Sequence, residues 1–158
     1  MSGLNGIQLR NKLKNFPGFL GVFPSNGMPY PMGERWSFIV NYDPSSKGGS
    51  HWIAITRTHG VVNYFDSMGG SPDGDDSILH DQTHFRQWLQ IYPRYTVNRI
   101  QYQKLTADTC GEWASCFIVS PQLVRIFSHK PDPDIAVKNW WIHYDSDRME
   151  KDGHSLID

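Results

Sequence analysis

Cysteine is scarce in this chain: Cys110 and Cys116 are the two in 158 residues. A disulfide framework is excluded first. Six residues apart on one presumed helix, about one and two-thirds turns, the two side chains point to different faces. A zinc site fares no better, because Cys110-x5-Cys116 is not a ligand spacing and no second cysteine pair exists. Charge of one sign is also lacking. Fifteen basic and 16 acidic residues leave a net charge of −1, with no excess to draw the protein to nucleic acid. No apolar run approaches membrane-spanning length, and the N-terminus lacks the apolar core of a signal peptide. Internal repeats and low-complexity tracts are missing. What these absences leave is a soluble, intracellular protein with reduced thiols; a monomer is the expected state.

What is present is ordinary apolar content and many aromatics, 39% and 13% of residues. A chain of this length forms one domain and buries about 70% of its unfolded surface. A short helix is expected between Asn5 and Asn15, ending before Pro17. Gly18 to Gly33 holds four Gly and three Pro and reads as an ordered, turn-rich loop. Trp36–Tyr42 alternates as a strand with Trp36, Phe38 and Val40 on one face. A turn over 43–49 leads to a nearly all-apolar central strand, His51–Arg57. His59-Gly60 then makes a tight turn into Val61–Asp66, giving an antiparallel hairpin. After a loop from Ser67 to Asp76, a helix is expected from about Ser77 to Tyr92. Tyr95–Gln103 reads as a fourth strand. Pro121 cannot lie deep in a helix, so the cysteine helix ends near Ser120 and a second starts with Pro121 and runs to Phe127. Residues 129–134 read as a linker, Ile135–His143 as a last helix, and 145–158 as a peripheral tail.

The stretch Asp108-Thr109-Cys110-Gly111-Glu112-Trp113 is the candidate centre. Asp108 or Thr109 can cap a helix start, and Glu112–Val119 is apolar nearly all round, as a core-enclosed helix would be. Cys110 then stands at the positive end of the helix dipole, a placement that favours thiolate. Gly111 removes the side chain beside the sulfur and lets a backbone approach. A thiolate nucleophile needs a base, a group to orient that base, and donors for the oxyanion. His51 opens a central strand after Gly48-Gly49-Ser50, and Asp66 closes the neighbouring strand, so a hairpin sets imidazole and carboxylate side by side. Gln103, seven residues before Cys110, can join the Cys110 backbone N–H as an oxyanion donor.

Gly49-Ser50-His51-Trp52-Ile53-Ala54, Tyr64-Phe65-Asp66-Ser67, Gln103 and Cys110-Gly111-Glu112-Trp113 together resemble the clan of the adenovirus maturation protease and the SUMO-deconjugating cysteine proteases. The order His, Asp, Gln, Cys is that clan's and reverses the papain order. The resemblance covers roughly residues 15–127. It implies an α+β fold with a central, mostly antiparallel sheet packed on the helix that carries the cysteine. Position by position, His51 matches the base, Asp66 its orienting acid, Gln103 the oxyanion amide and Cys110 the nucleophile. Trp52 matches the tryptophan beside the groove for small residues ahead of the cut, and Gly49 and Gly111 are the backbone positions expected against the substrate. The implied activity is peptide-bond hydrolysis at Gly-containing sites, with no metal and no cofactor.

Length and the stretch Leu20–Pro29 resemble compact viral members, which process structural precursor proteins. Two other readings stand beside that one: removal of ubiquitin-like modifiers, and an inactive binding module of the same fold. Protein substrates are the expected partners. The 15-residue spacing from His51 to Asp66 is slightly short for the clan and calls for a tight hairpin turn. The adenovirus enzyme uses a disulfide-linked peptide and DNA as activators; without a third cysteine or a basic excess, neither is carried over to this chain. Whether some other peptide activates it is left open by the sequence.

Overall fold

Trp36–Asn41 is buried along nearly its whole length, so the strand it forms must be covered on both faces. The computed structural model, which describes residues 3–42, 51–72 and 83–147, puts it second in a five-stranded sheet. The strands are β1 (Phe19–Pro24), β2 (Trp36–Asn41), β3 (Trp52–Thr58), β4 (Val61–Phe65) and β5 (Tyr95–Val97), and they lie in sequence order. The helices are α1 (Gly6–Leu13), α2 (Thr83–Leu89), α3 (Cys110–Val119), α4 (Pro121–Ser128) and α5 (Pro133–His143). The architecture is α+β, as the sequence implied.

The sheet is mixed. Its central pairings, β2 with β3 and β3 with β4, are antiparallel; the outer ones, β1 with β2 and β4 with β5, are parallel. The β3–β4 hairpin turns through His59 (φ 51°) and Gly60 (φ 77°), the two positive φ values of a type I′ turn whose twist matches the strands. That is the tight turn the short His51–Asp66 spacing called for.

β1 falls where the sequence reads as a loop. It carries a register shift between Phe19 and Val22, and Gly21 takes a φ of 133°, open to glycine and little else. β5 is shorter than the strand expected over 95–103. Beyond Val97 the side chain of Asn98 replaces the backbone ladder: its Oδ1 accepts from the Asp66 N–H and its Nδ2 donates to the Asp66 carbonyl, both at 2.8 Å. The helix expected over 77–92 is described from Thr83; its earlier residues, like the turn over 43–49, lie outside the described residues.

One sheet face packs on α1, α3, α4 and α5 around Leu9, Leu13, Ile39, Ala54, Trp113 and Val137. The other carries an aromatic cluster of Trp36, Phe38, Tyr64, Phe85, Trp88 and Tyr92. The helix start and finish at the break are as expected: Ser120 ends α3 and Pro121 is the first residue of α4. Two boundaries move. α5 begins inside the expected linker, because Asp132 caps it by accepting from the Ile135 N–H and Pro133 is tolerated in its first turn. Outside the 15–127 span of the resemblance, Leu9 and Leu13 of α1 and Val137 of α5 are fully buried. Nor is the start of the tail peripheral: Ser146 is buried and its hydroxyl donates to the Lys12 carbonyl at 2.8 Å. Residues 148–158 lie outside the described residues. Among the described residues no helix is long and apolar enough to cross a membrane.

Candidate active site

Nine of the ten residues of α3 are buried, which makes it a helix enclosed by the core with its first turn opening on a cleft. Cys110 is the first residue of that turn and lines a cleft of about 660 Å³ together with His51, Trp52 and Gln103. Neither cysteine is in a disulfide.

His51 immediately precedes β3, and its ring lies against Tyr42, centroids 5.9 Å apart. Its Nε2 donates to Asp66 Oδ1 at 2.6 Å. The last ladder pair of the hairpin is Ala54 with Phe65, so Asp66 stands one position beyond β4 and reaches His51 diagonally. The carboxylate is fixed in turn, since Oδ1 also accepts from the Met68 N–H at 2.8 Å. With Nε2 committed to Asp66, Nδ1 is the imidazole nitrogen left for the thiol of Cys110, which lines the same cleft. Burial alone would lower the His51 pKa. The hydrogen bonds to Asp66 and Cys110 and the negative charge of both outweigh it and push the value up to about 10.

Gln103 is buried, and its amide orientation is set by chemistry. Nε2 donates to the Ala107 carbonyl at 2.7 Å, an atom that can only accept, while Oε1 accepts from the Ser67 hydroxyl at 2.7 Å. The amide nitrogen carries two hydrogens and this arrangement uses one of them. The other is a donor beside the cleft. Ser67 and Asn98 are therefore part of the site's support, and neither was singled out from sequence. Ser67 follows Asp66 in the quoted stretch, and its small hydroxyl next to a buried amide was the available signal. For Asn98 the sequence carries no signal, because its role is to stand in for backbone.

Trp52 lines the cleft, with its indole N–H donating to the Leu4 carbonyl at 2.8 Å. That bond brings the segment 3–6 alongside the catalytic candidates, where it forms one wall of the cleft. A Cβ on Gly3 would stand 2.9 Å from the Asp108 carbonyl oxygen, so this wall touches the stretch leading into Cys110. Gly111 is the one assigned residue that the structure turns elsewhere. A Cβ there would meet Leu4 and Leu9 at 3.2–3.3 Å, so the close approach it permits is that of the N-terminal segment and not of a ligand in the cleft. Gly49 lies outside the described residues. Among the described residues no group of three His, Cys, Asp or Glu side chains is disposed to hold a metal ion.

No protein-family model and no curated protein sequence matches this chain significantly. Solved structures do. The ASFV pS273R protease superposes with a TM-score of 0.56 at 16% identity, over 91% of this chain and 67% of its own. The central domain of Lpg1148 from Legionella pneumophila superposes with a TM-score of 0.53 at 12% identity, over 96% of this chain and 99% of its own. This chain shares their fold. The likeness to both structures is one of architecture. ChlaDub1 from Chlamydia trachomatis superposes less closely, with a TM-score of 0.43 at 15% identity over 88% of this chain and 83% of its own.

Proposed function

We propose that this chain is a cysteine endopeptidase of the viral maturation type, cutting extended, Gly-containing sites in structural precursor proteins. The observation that carries the reading is the contact of His51 Nε2 with Asp66 at 2.6 Å, made beside a cysteine at a helix start and in the same cleft as an oriented glutamine amide. The fold shared with a structure described as a protease supports it.

In this reading the Cys110 thiol gives its proton to His51 Nδ1, leaving the sulfur as the nucleophile beside an imidazolium. The sulfur attacks the scissile carbonyl carbon, and as the C–S bond forms the carbonyl electron pair moves to oxygen. Gln103 Nε2 and the Cys110 backbone N–H receive that oxyanion. As the C–N bond breaks, His51 gives its Nδ1 proton to the leaving amine. The now neutral imidazole takes a proton from water, whose oxygen attacks the thioester and releases the acid and the thiolate. Asp66 holds the ring in register and offsets its charge throughout. Trp52, pinned by Leu4, leaves a flat wall against which residues with small side chains fit.

Substrate size tests the reading against modifier removal. Peptides of about eight residues with Gly next to the cut should be hydrolysed, with little gain from an attached ubiquitin fold. If short peptides stay intact while a ubiquitin or SUMO fusion is cut at least about a hundredfold faster, about 2.7 kcal/mol of transition-state binding comes from the folded modifier. The assignment would then pass to a deconjugating enzyme. Hydrolysis of neither would leave a binding module.

A further inference from the structure

Gln103 and Cys110 are joined by residues 104–109, and one side chain from a distant element grips both ends of that connection. Asp134, in the first turn of α5, is 8% exposed. Its Oδ1 accepts from the Thr109 hydroxyl at 2.6 Å and from the Trp113 indole N–H at 3.0 Å, and its Oδ2 accepts from the Lys104 backbone N–H at 3.2 Å. Helix capping does not account for this arrangement. α5 already has a cap in Asp132, which accepts from the Ile135 N–H. Thr109, for its part, occupies the N-cap position of α3 but makes no capping hydrogen bond there. A threonine in that place ordinarily turns its oxygen to the second or third helical N–H; here its hydroxyl is turned to Asp134 instead.

Between the two gripped ends lies Ala107, whose carbonyl receives the Gln103 amide and whose N–H donates to the Lys104 carbonyl at 3.0 Å. Any shift of the 104–109 connection therefore moves the Gln103 side chain and the start of α3 relative to each other. These are the two sources of oxyanion donors. We propose that Asp134 is a positioning residue for this site: by holding Lys104, Thr109 and Trp113 on one carboxylate, it fixes the spacing between the Gln103 amide and Cys110. The inference rests on the cysteine-protease reading of the cleft. Asp134 touches no substrate and acts only through the residues it holds.

The test is Asp134→Asn together with the pair Thr109→Val and Thr109→Ser, read by peptide hydrolysis, by Cys110 alkylation with iodoacetamide across pH 4–9, and by thermal unfolding. Asparagine keeps the size but must point N–H hydrogens at a donor, either Lys104 or the Thr109 and Trp113 pair. Its kcat should fall about tenfold to a hundredfold with KM within about twofold of wild type, as misplaced catalytic groups do. Its alkylation profile should shift away from that of wild type. Thr109→Val should lose kcat in the same sense, and Thr109→Ser, which keeps the hydroxyl, should restore it. If Asp134→Asn does not fold, the two Thr109 variants decide alone. Unchanged kcat, KM and alkylation profile beside a lowered Tm would make Asp134 a structural tie only, and a Thr109→Ser as impaired as Thr109→Val would remove the hydrogen-bond account. Should wild type hydrolyse no peptide or fusion, the protease reading fails on its own. The alkylation profiles still judge Asp134 in that case, and superimposable curves for wild type and Asp134→Asn overturn its role.

Discussion

Cys110 and Cys116 share a helix, a residue type and a reduced state, and differ in everything that decides reactivity. Cys116 lies within the helix-side core with no exposure, and burial pushes its thiol far up. It serves as a small apolar filler between sheet and helices. Cys110 stands where α3 starts, borders the cleft, and has the His51 ring beside it. A helix interior offers a side chain only packing. A helix start offers unpaired N–H groups, a positive end of the dipole and an opening to solvent. The polar groups that meet there come from elsewhere, His51 and Asp66 from one end of the sheet and Gln103 from the run after β5. Position in the element, more than the residue, separates the candidate nucleophile from the filler.

The sharpest way to break that contrast is substitution and labelling. Cys110→Ala should lower kcat by at least about 10⁴-fold, in line with losses of other nucleophiles, while Cys116→Ala stays within about twofold. Brief iodoacetamide treatment near neutral pH, read by mass spectrometry, should modify Cys110 and leave Cys116 untouched until the protein unfolds. Labelling of Cys116 first would erase the distinction.

A smaller effect sharpens the account of the base. Asp66→Asn should reduce kcat by about 10²–10⁴-fold, with the fold retained. His51 is raised in the folded protein from 6.5 to about 10, so its interactions stabilise the fold fully below about pH 6.5 and are lost as pH rises through about 10. In the proposed mechanism the same group protonates the leaving amine, so wild-type kcat/KM should fall on the alkaline side near pH 10. In Asp66→Asn that limb should move to lower pH, because the largest raising influence is gone. A limb that does not move would detach Asp66 from the titration of His51.

The smallest expected effect concerns the filler. Cys116→Ala leaves a cavity little bigger than a sulfur atom and should cost about 1–1.5 kcal/mol, or a Tm drop of about 2–6 °C for a chain of this length. A larger loss, or one accompanied by a fall in kcat, would mean that the second turn of α3 also governs the first.

The strands that pair locally were legible in the sequence. β3 and β4 are joined by His59-Gly60, a turn whose chemistry is written in two residues, and β2 announces itself by Trp36, Phe38 and Val40. The break at Ser120-Pro121 and the enclosed cysteine helix were legible for the same reason: proline and an all-round apolar run act through local physics. β1 was hidden because Gly18, Gly21 and Pro24 read as punctuation, and its parallel pairing with β2 is a tertiary event that leaves no hairpin signal. Asp134 was hidden inside an apparent linker; the Asp132-Pro133 start of α5 went unread, and its three donors lie up to 30 residues away. In the site, His51, Asp66, Gln103, Cys110 and Trp52 are brought to one place. The wall formed by residues 3–6 was invisible, since nothing in Leu4 or Gly3 hints that Trp52 and Asp108 will meet them.

The two strands at the margins of the sheet bear on how copies of this chain behave toward one another. A long, flat outer strand is a template on which a second chain can continue the ladder and begin an aggregate. β1 presents a broken register, a glycine in a conformation few residues adopt, and a proline as its last residue. β5 presents three residues. Neither margin offers the run of evenly spaced amides that fibre growth requires, so the same irregularities that hid β1 from the sequence guard the chain against polymerising through its own sheet.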